Sequence, residues 1–131
     1  VHFARAIAFV DAGLPDLDTL YHALPQGLQV VWLDAGQNGI ETLCQKLALE
    51  QKLDAIHLIT HGAPGRIFIG NQTLSQSNLD QHQEFLAQIQ RTLGDQGEWL
   101  IYGCDVAQEQ VGQAFIDSLP SHRCQNRRRQ P

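Results

Sequence analysis

Ala55-Ile56-His57-Leu58-Ile59-Thr60 runs directly into His61-Gly62-Ala63-Pro64-Gly65. A short apolar run that stops at a Gly/Pro cluster reads as a buried strand handing over to a loop. The same grammar recurs along the chain. Ala6–Val10 is such a run, ended by Asp11-Ala12-Gly13-Leu14-Pro15, and Leu28–Leu33 is another, closed by Asp34-Ala35-Gly36. Glu98–Tyr102 is a fourth, followed at once by Gly103-Cys104-Asp105. Helical stripes lie between them. Leu17, Leu20, Tyr21 and Leu24 share one face over Asp16–Leu24, and Ile40, Leu43, Cys44 and Leu47 fall at helical spacing in a segment running towards Gln51. Leu79, His82, Leu86, Ile89 and Leu93 follow a cap at Ser75 or Ser77, and Val111, Ala114, Phe115 and Leu119 mark a last helix. Arg66–Leu74 reads as a hairpin turning at Gly70-Asn71.

Strands alternating with helices predict an α/β domain. The expected form is a three-layer sandwich around a mostly parallel sheet of four strands or slightly more, with a small β-hairpin beside it. A chain of 131 residues has material for one such domain, expected over residues 1–120. Fourteen acidic and nine basic side chains give a net charge of -5, but the distribution is uneven. Residues 1–122 carry all fourteen acids and five bases, a net of -9. Residues 121–131 hold Arg123, Arg127, Arg128 and Arg129 without any apolar period, and are expected to form a basic tail outside the domain. No strand is expected after the last helix, which would leave a sheet edge open to pairing with another copy.

An acidic fold argues against nucleic acid as a partner. No apolar run approaches the roughly 18 residues of a membrane span, so no membrane partner is expected. Cys44, Cys104 and Cys124 are too few and too scattered for a disulfide framework or a paired zinc site. GxGxxG, P-loop and GxSxG patterns do not occur, and neither a cofactor nor a metal is expected. The chain begins at Val1 and contains no Met, which reads as a trimmed piece or a non-standard start.

Parallel sheets gather chemistry where strands end. Asp11, Asp34, His61 and Cys104 all sit at such ends. If the strands before His61 and Cys104 are neighbours, an imidazole and a thiol come within reach, which is what nucleophilic catalysis by cysteine requires. Cys104 precedes a helix, whose amino end favours a thiolate, and backbone N–H groups near Gly62 and Cys104 would suit an oxyanion, with Gly103 allowing close approach. Asp105 opposes the thiolate unless it turns away to cap that helix through its spacing to Gln108. Asp11, Asp34 and Asp105 together predict a negatively charged mouth that favours basic or neutral peptide. The plainer alternative makes Cys104 a small buried residue and His61 a polar loop residue. His57 and His61, four apart on a strand and so on one face, read as a metal pair or, more simply, as a buried histidine near a helix, and Cys44 reads as core.

The order strand–Thr60-His61-Gly62, then strand–Gly103-Cys104, resembles the caspase-like cysteine peptidases: caspases, gingipains, legumains, separases and autoprocessing toxin domains. Ile7-Ala8-Phe9-Val10-Asp11, the stretch from Leu53 to Gly65, and Tyr102-Gly103-Cys104-Asp105-Val106-Ala107 more closely resemble domain-of-unknown-function family 4347. The resemblance implies a caspase-like sheet with His61 and Cys104 in the catalytic positions. It also implies an amino-terminal module of very large bacterial surface or secreted proteins, and hence a secreted or surface location. Members of that family continue past Leu119 into further strands, from which this chain is expected to depart. Two functions follow as expectations. One is a cysteine-peptidase-like module acting on peptide, including its own parent chain. The other is a non-catalytic interaction module of a surface adhesion protein.

Overall fold

The computed structural model describes residues 5–14, 18, 22, 24, 28–103, 109–117, 119 and 122–126. In chain order the elements are β1 (Ala6–Asp11), β2 (Gln29–Leu33), α1 (Gly39–Leu47), β3 (Leu53–Ile59), β4 (Gly62–Ala63), β5 (Arg66–Ile69) and β6 (Gln72–Ser75). They continue with a 3-10 segment (Gln76–His82), α2 (Gln83–Thr92), β7 (Leu93–Gly103), α3 (Glu109–Asp117) and β8 (His122–Asn126). β2-β1-β3-β7-β8 form one sheet and β4-β5-β6 a second, smaller one. Every pairing in the large sheet is parallel, and those in the small sheet are antiparallel. The α/β class, the parallel sheet and the accompanying hairpin therefore stand as the residue pattern predicts.

Alternation along the strands divides the core. Ile7, Phe9, Ile56, Leu58, Trp99 and Ile101 point to one face and pack with Ile40, Leu43 and Leu47 of α1 and Phe85 and Ile89 of α2. Ala8, Val10 and Ile59 point to the other face and meet Leu14, Leu24 and Leu28 from the β1–β2 connection. Both faces of the central strands are thus apolar, which is why these strands read as continuous runs and not as alternating ones.

Local chemistry sets the element ends. Asn38 caps α1 by accepting the Glu41 N–H at 3.0 Å. The helix expected after Ser75 opens with the 3-10 segment, where the Asn78 side chain accepts the Ser75 N–H at 2.9 Å. It ends at Thr92, so Leu93 belongs to β7 instead. β7 itself starts five residues earlier than expected, with a register irregularity between its pairings to Leu53 and Ala55. The helix expected over Asp16–Leu24 lies largely outside the described residues, as does the cap expected at Asp105.

One expectation is overturned. Residues 122–126 are not a tail beyond the sheet: β8 pairs with β7 from Trp99↔His122 to Gly103↔Asn126 and supplies a strand after the last helix. Periodicity missed it because a strand at a sheet edge is held through its backbone and needs no apolar alternation of its own.

Candidate active site

Counted along the large sheet, the strands run second, first, third, fourth, fifth, so the order reverses between β1 and β3. Crevices outside the carboxyl ends at such a reversal are where open parallel sheets bind ligands. Asp11 and Thr60-His61 flank this point, and the next strand over, β7, ends at Gly103.

β3 and β7 are neighbours, in register from Ile56↔Trp99 to Ile59↔Tyr102. The Thr60 N–H donates to the Tyr102 carbonyl at 3.2 Å, which carries the pairing up to the residue before His61. His61 is exposed, and its carbonyl accepts the Phe68 N–H at 3.0 Å. The Thr60 hydroxyl donates to the Phe68 carbonyl, so β5 anchors both residues that lead out of β3. Because His61 and Phe68 share a ladder bond, the next pair, Gly62↔Ile67, is of the non-bonded kind, and the Gly62 N–H is turned away from β5.

Of the other expected site residues, Gly103 closes β7, while Cys104 and Asp105 lie outside the described residues. Asp11 is buried, 6 % exposed, and its carboxylate accepts the Gly13 N–H at 2.8 Å, shaping the turn after β1. Asp34 is exposed after β2, where its N–H donates to the Gln37 side chain at 2.9 Å. β1 stands between it and β3, which sets it about 10 Å to the side at ordinary strand spacing. A groove of about 640 Å³ lies between the β4–β5 turn and the end of β6, with Arg66, Ser75 and Ser77 in its polar lining. Among the described residues, no group of three or more His, Cys, Asp or Glu side chains gathers in metal-ligating fashion.

One polar pair has no pattern in the sequence that marks it as a pair. His57, 5 % exposed, lies on the β1-β3-β7 face of Ala8 and Ile59, and its Nδ1 is 3.1 Å from the Tyr102 hydroxyl. The two rings stack with centroids 5.8 Å apart. Their only signal in the sequence was a polar residue at an inward position of each strand, and their meeting depends on which strands are neighbours. Burial pushes the His57 pKa below the ordinary imidazole value. A base with a depressed folded pKa contributes stability above its unfolded pKa and loses it as pH falls through the folded one. Urea midpoints are therefore expected to decline as pH drops below about 6.5, the unfolded value, and His57→Leu should flatten that decline. An unchanged acid limb in His57→Leu would assign the effect to other groups.

Cys44 is half-buried on α1, and burial, with Glu84 and Glu41 adding to it, raises its thiol pKa against the opposing pull of Arg91. A raised thiol pKa means less thiolate at neutral pH, so Cys44 is a poor nucleophile.

A parallel α/β domain with a histidine and a glycine-bounded strand end at its topological switch point is a class with many members. Within it, the chain belongs to the family described as Domain of unknown function (DUF4347), whose profile matches residues 7–124. The comparison with curated proteins finds no match. Among solved structures the chain is similar to the crystal structure of caspase-1 from Spodoptera frugiperda, with 17% identity and a TM-score of 0.44. That likeness covers 79% of this chain and 48% of the other, so the chain spans about half the length of the protein it matches.

Proposed function

We propose that the domain is a cysteine-peptidase-like module that cleaves or recognises peptide, its own parent chain included, at the surface of or outside a bacterial cell. The observation that carries this reading is the level ending of two neighbouring parallel strands, with Ile59 opposite Tyr102, two residues before His61 and two before Cys104. In this reading the Cys104 thiolate attacks the peptide carbonyl carbon, and His61 takes the thiol proton and passes it to the leaving amine. Water then releases the acyl group from sulfur. The Gly62 N–H, turned away from β5, supports a role as an oxyanion donor. Asp11 is taken up by its own turn, so the preference for basic or neutral peptide rests in this reading on Asp105 and, about 10 Å to the side, Asp34.

Alkylation with iodoacetamide, read residue by residue by mass spectrometry, tests the reading. At pH 7, Cys104 is expected to react at least about tenfold faster than Cys44, the difference that one unit of thiol pKa makes. His61→Ala should remove that advantage and leave Cys44 unchanged. Equal, slow labelling of both thiols would sink the enzyme reading.

A second reading, an interaction module, is favoured by β2. Among the described residues this strand ends the sheet; it carries no charged residue and leaves Trp32 46 % exposed. Uncharged edge strands invite strand addition. Trp32→Lys should weaken any association seen by light scattering without altering thiol labelling.

A further inference from the structure

A histidine and a tyrosine that meet inside an apolar layer need a reason. Ala8 of β1 and Leu100 of β7 stand beside His57 in the register, and Ile59 and Val10 complete the layer above it. Among the described residues, Tyr102 is the titratable group that faces His57 there. Each polar partner must give up water to reach this place, so the contact returns little net stability. What a buried polar contact does supply is geometry, because its directional bond is satisfied in one register and broken in the others.

The geometry falls on the two strands that matter. Tyr102 is held by β3 at two points: its carbonyl accepts the Thr60 N–H at 3.2 Å, and its hydroxyl lies 3.1 Å from His57 Nδ1. The two points sit on opposite sides of the Tyr102↔Ile59 pairing, so β7 can neither slide along β3 nor rotate at this end without losing one of them. His61 is the residue after Thr60, and Gly103 and Cys104 are the next two after Tyr102. A dyad tolerates little misplacement, since a displacement of about 1 Å can cost on the order of a hundredfold in rate.

We propose that His57 and Tyr102 are positioning residues, a polar brace that fixes the register of the β3 and β7 ends and so the reach between His61 and Cys104. This rests on the cysteine-peptidase-like reading above. Neither residue touches substrate in this proposal. Both act through the strands that carry the reacting groups.

The test measures the rate of Cys104 alkylation by iodoacetamide from pH 5 to 9, which yields both the rate and the pH midpoint of the thiol. Cys44 in the same molecule serves as the reference. Tyr102→Phe keeps the ring and removes the hydroxyl. It is expected to slow Cys104 about tenfold at pH 7 and to move its midpoint up by about one unit, with the Cys44 rate unchanged. His57→Gln should do the same, and the double variant should be no worse than either single one, because the pair acts as a unit. Wild-type rate and midpoint in Tyr102→Phe and His57→Gln, alongside a clear loss in His61→Ala, would overturn the brace and leave the dyad standing. If His61→Ala itself changes nothing, the dyad reading fails first, and the brace has nothing to position. Acceleration of Cys44 in the variants would report unfolding and overturn positioning in favour of a purely structural role.

Discussion

Trp99→Ala is expected to lower the unfolding free energy by about 4 kcal/mol, within the range for emptying a buried aromatic site. Trp99 is fully buried in β7, pairs with Ile56 of β3 and His122 of β8, and meets Phe85 of α2 edge-on with ring centroids 6.1 Å apart. Its loss therefore empties the place where the sheet and α2 meet. For a domain of ordinary stability the expected loss is about a third to a half of the total. Trp99→Phe makes a sharper comparison. The buried indole N–H finds no hydrogen-bond partner among the described residues. Leaving such a donor unsatisfied costs about 1–3 kcal/mol, and phenylalanine removes it while keeping an aromatic ring against Phe85. Trp99→Phe is expected to cost less than about half of what Trp99→Ala costs. Equal losses in urea titrations of the two variants would show that the indole N–H carries no penalty.

The second large effect is expected where the hairpin meets α1. Gly70 has φ +62, and a Cβ there would lie 2.2 Å from the Gln37 carbonyl oxygen. Gly39, the first residue of α1, comes against Ile69, whose backbone would sit 2.6 Å from an added Cβ. Asn38 and Gly70 form a bridge at this contact, so neither backbone can yield without moving the other. A left-handed conformation costs about 1–2 kcal/mol for an L-residue, and overpacking adds about 1–3 more. Gly70→Ala is expected to lower the melting temperature by about 10 °C on the usual scaling for a chain of this size, and Gly39→Ala, where only the overpacking applies, by about 5 °C. Gly36 is the control, since an added Cβ there meets nothing within 4 Å. Gly36→Ala should melt within about 2 °C of the parent. Comparable losses at all three positions would rule out the close approach as the cause.

What could be read residue by residue follows the range of the forces involved. Ala6–Val10 and Ala55–Thr60 were legible as strands because both faces of a central parallel strand are buried and select apolar side chains throughout. Leu28–Leu33 was legible because its β-branched and aromatic run stops at a turn cluster, although β2 lies at the sheet edge. Ile40, Leu43 and Leu47 were legible as a helix face for the matching reason, and the Gly70-Asn71 turn because a hairpin of two residues needs positive φ. His61 and Gly62 stood out because they end a strand, and Gly103 because it ends another.

Other features depend on partners remote in the chain. β8 carries His, Arg, Cys, Gln and Asn, and only the free edge of β7 makes a strand of them. The carboxylate of Asp11, read as part of a charged mouth, closes a turn two residues on, a choice between local backbone and open solvent that composition does not encode. His57 and Tyr102 are 45 residues apart and meet because β3 and β7 are adjacent, not because of any pattern around either one. Side-chain periodicity is a short-range property and specifies which residues are buried. Strand order, register and the contacts that follow from them belong to the whole chain, since they are decided by which buried surfaces fit one another.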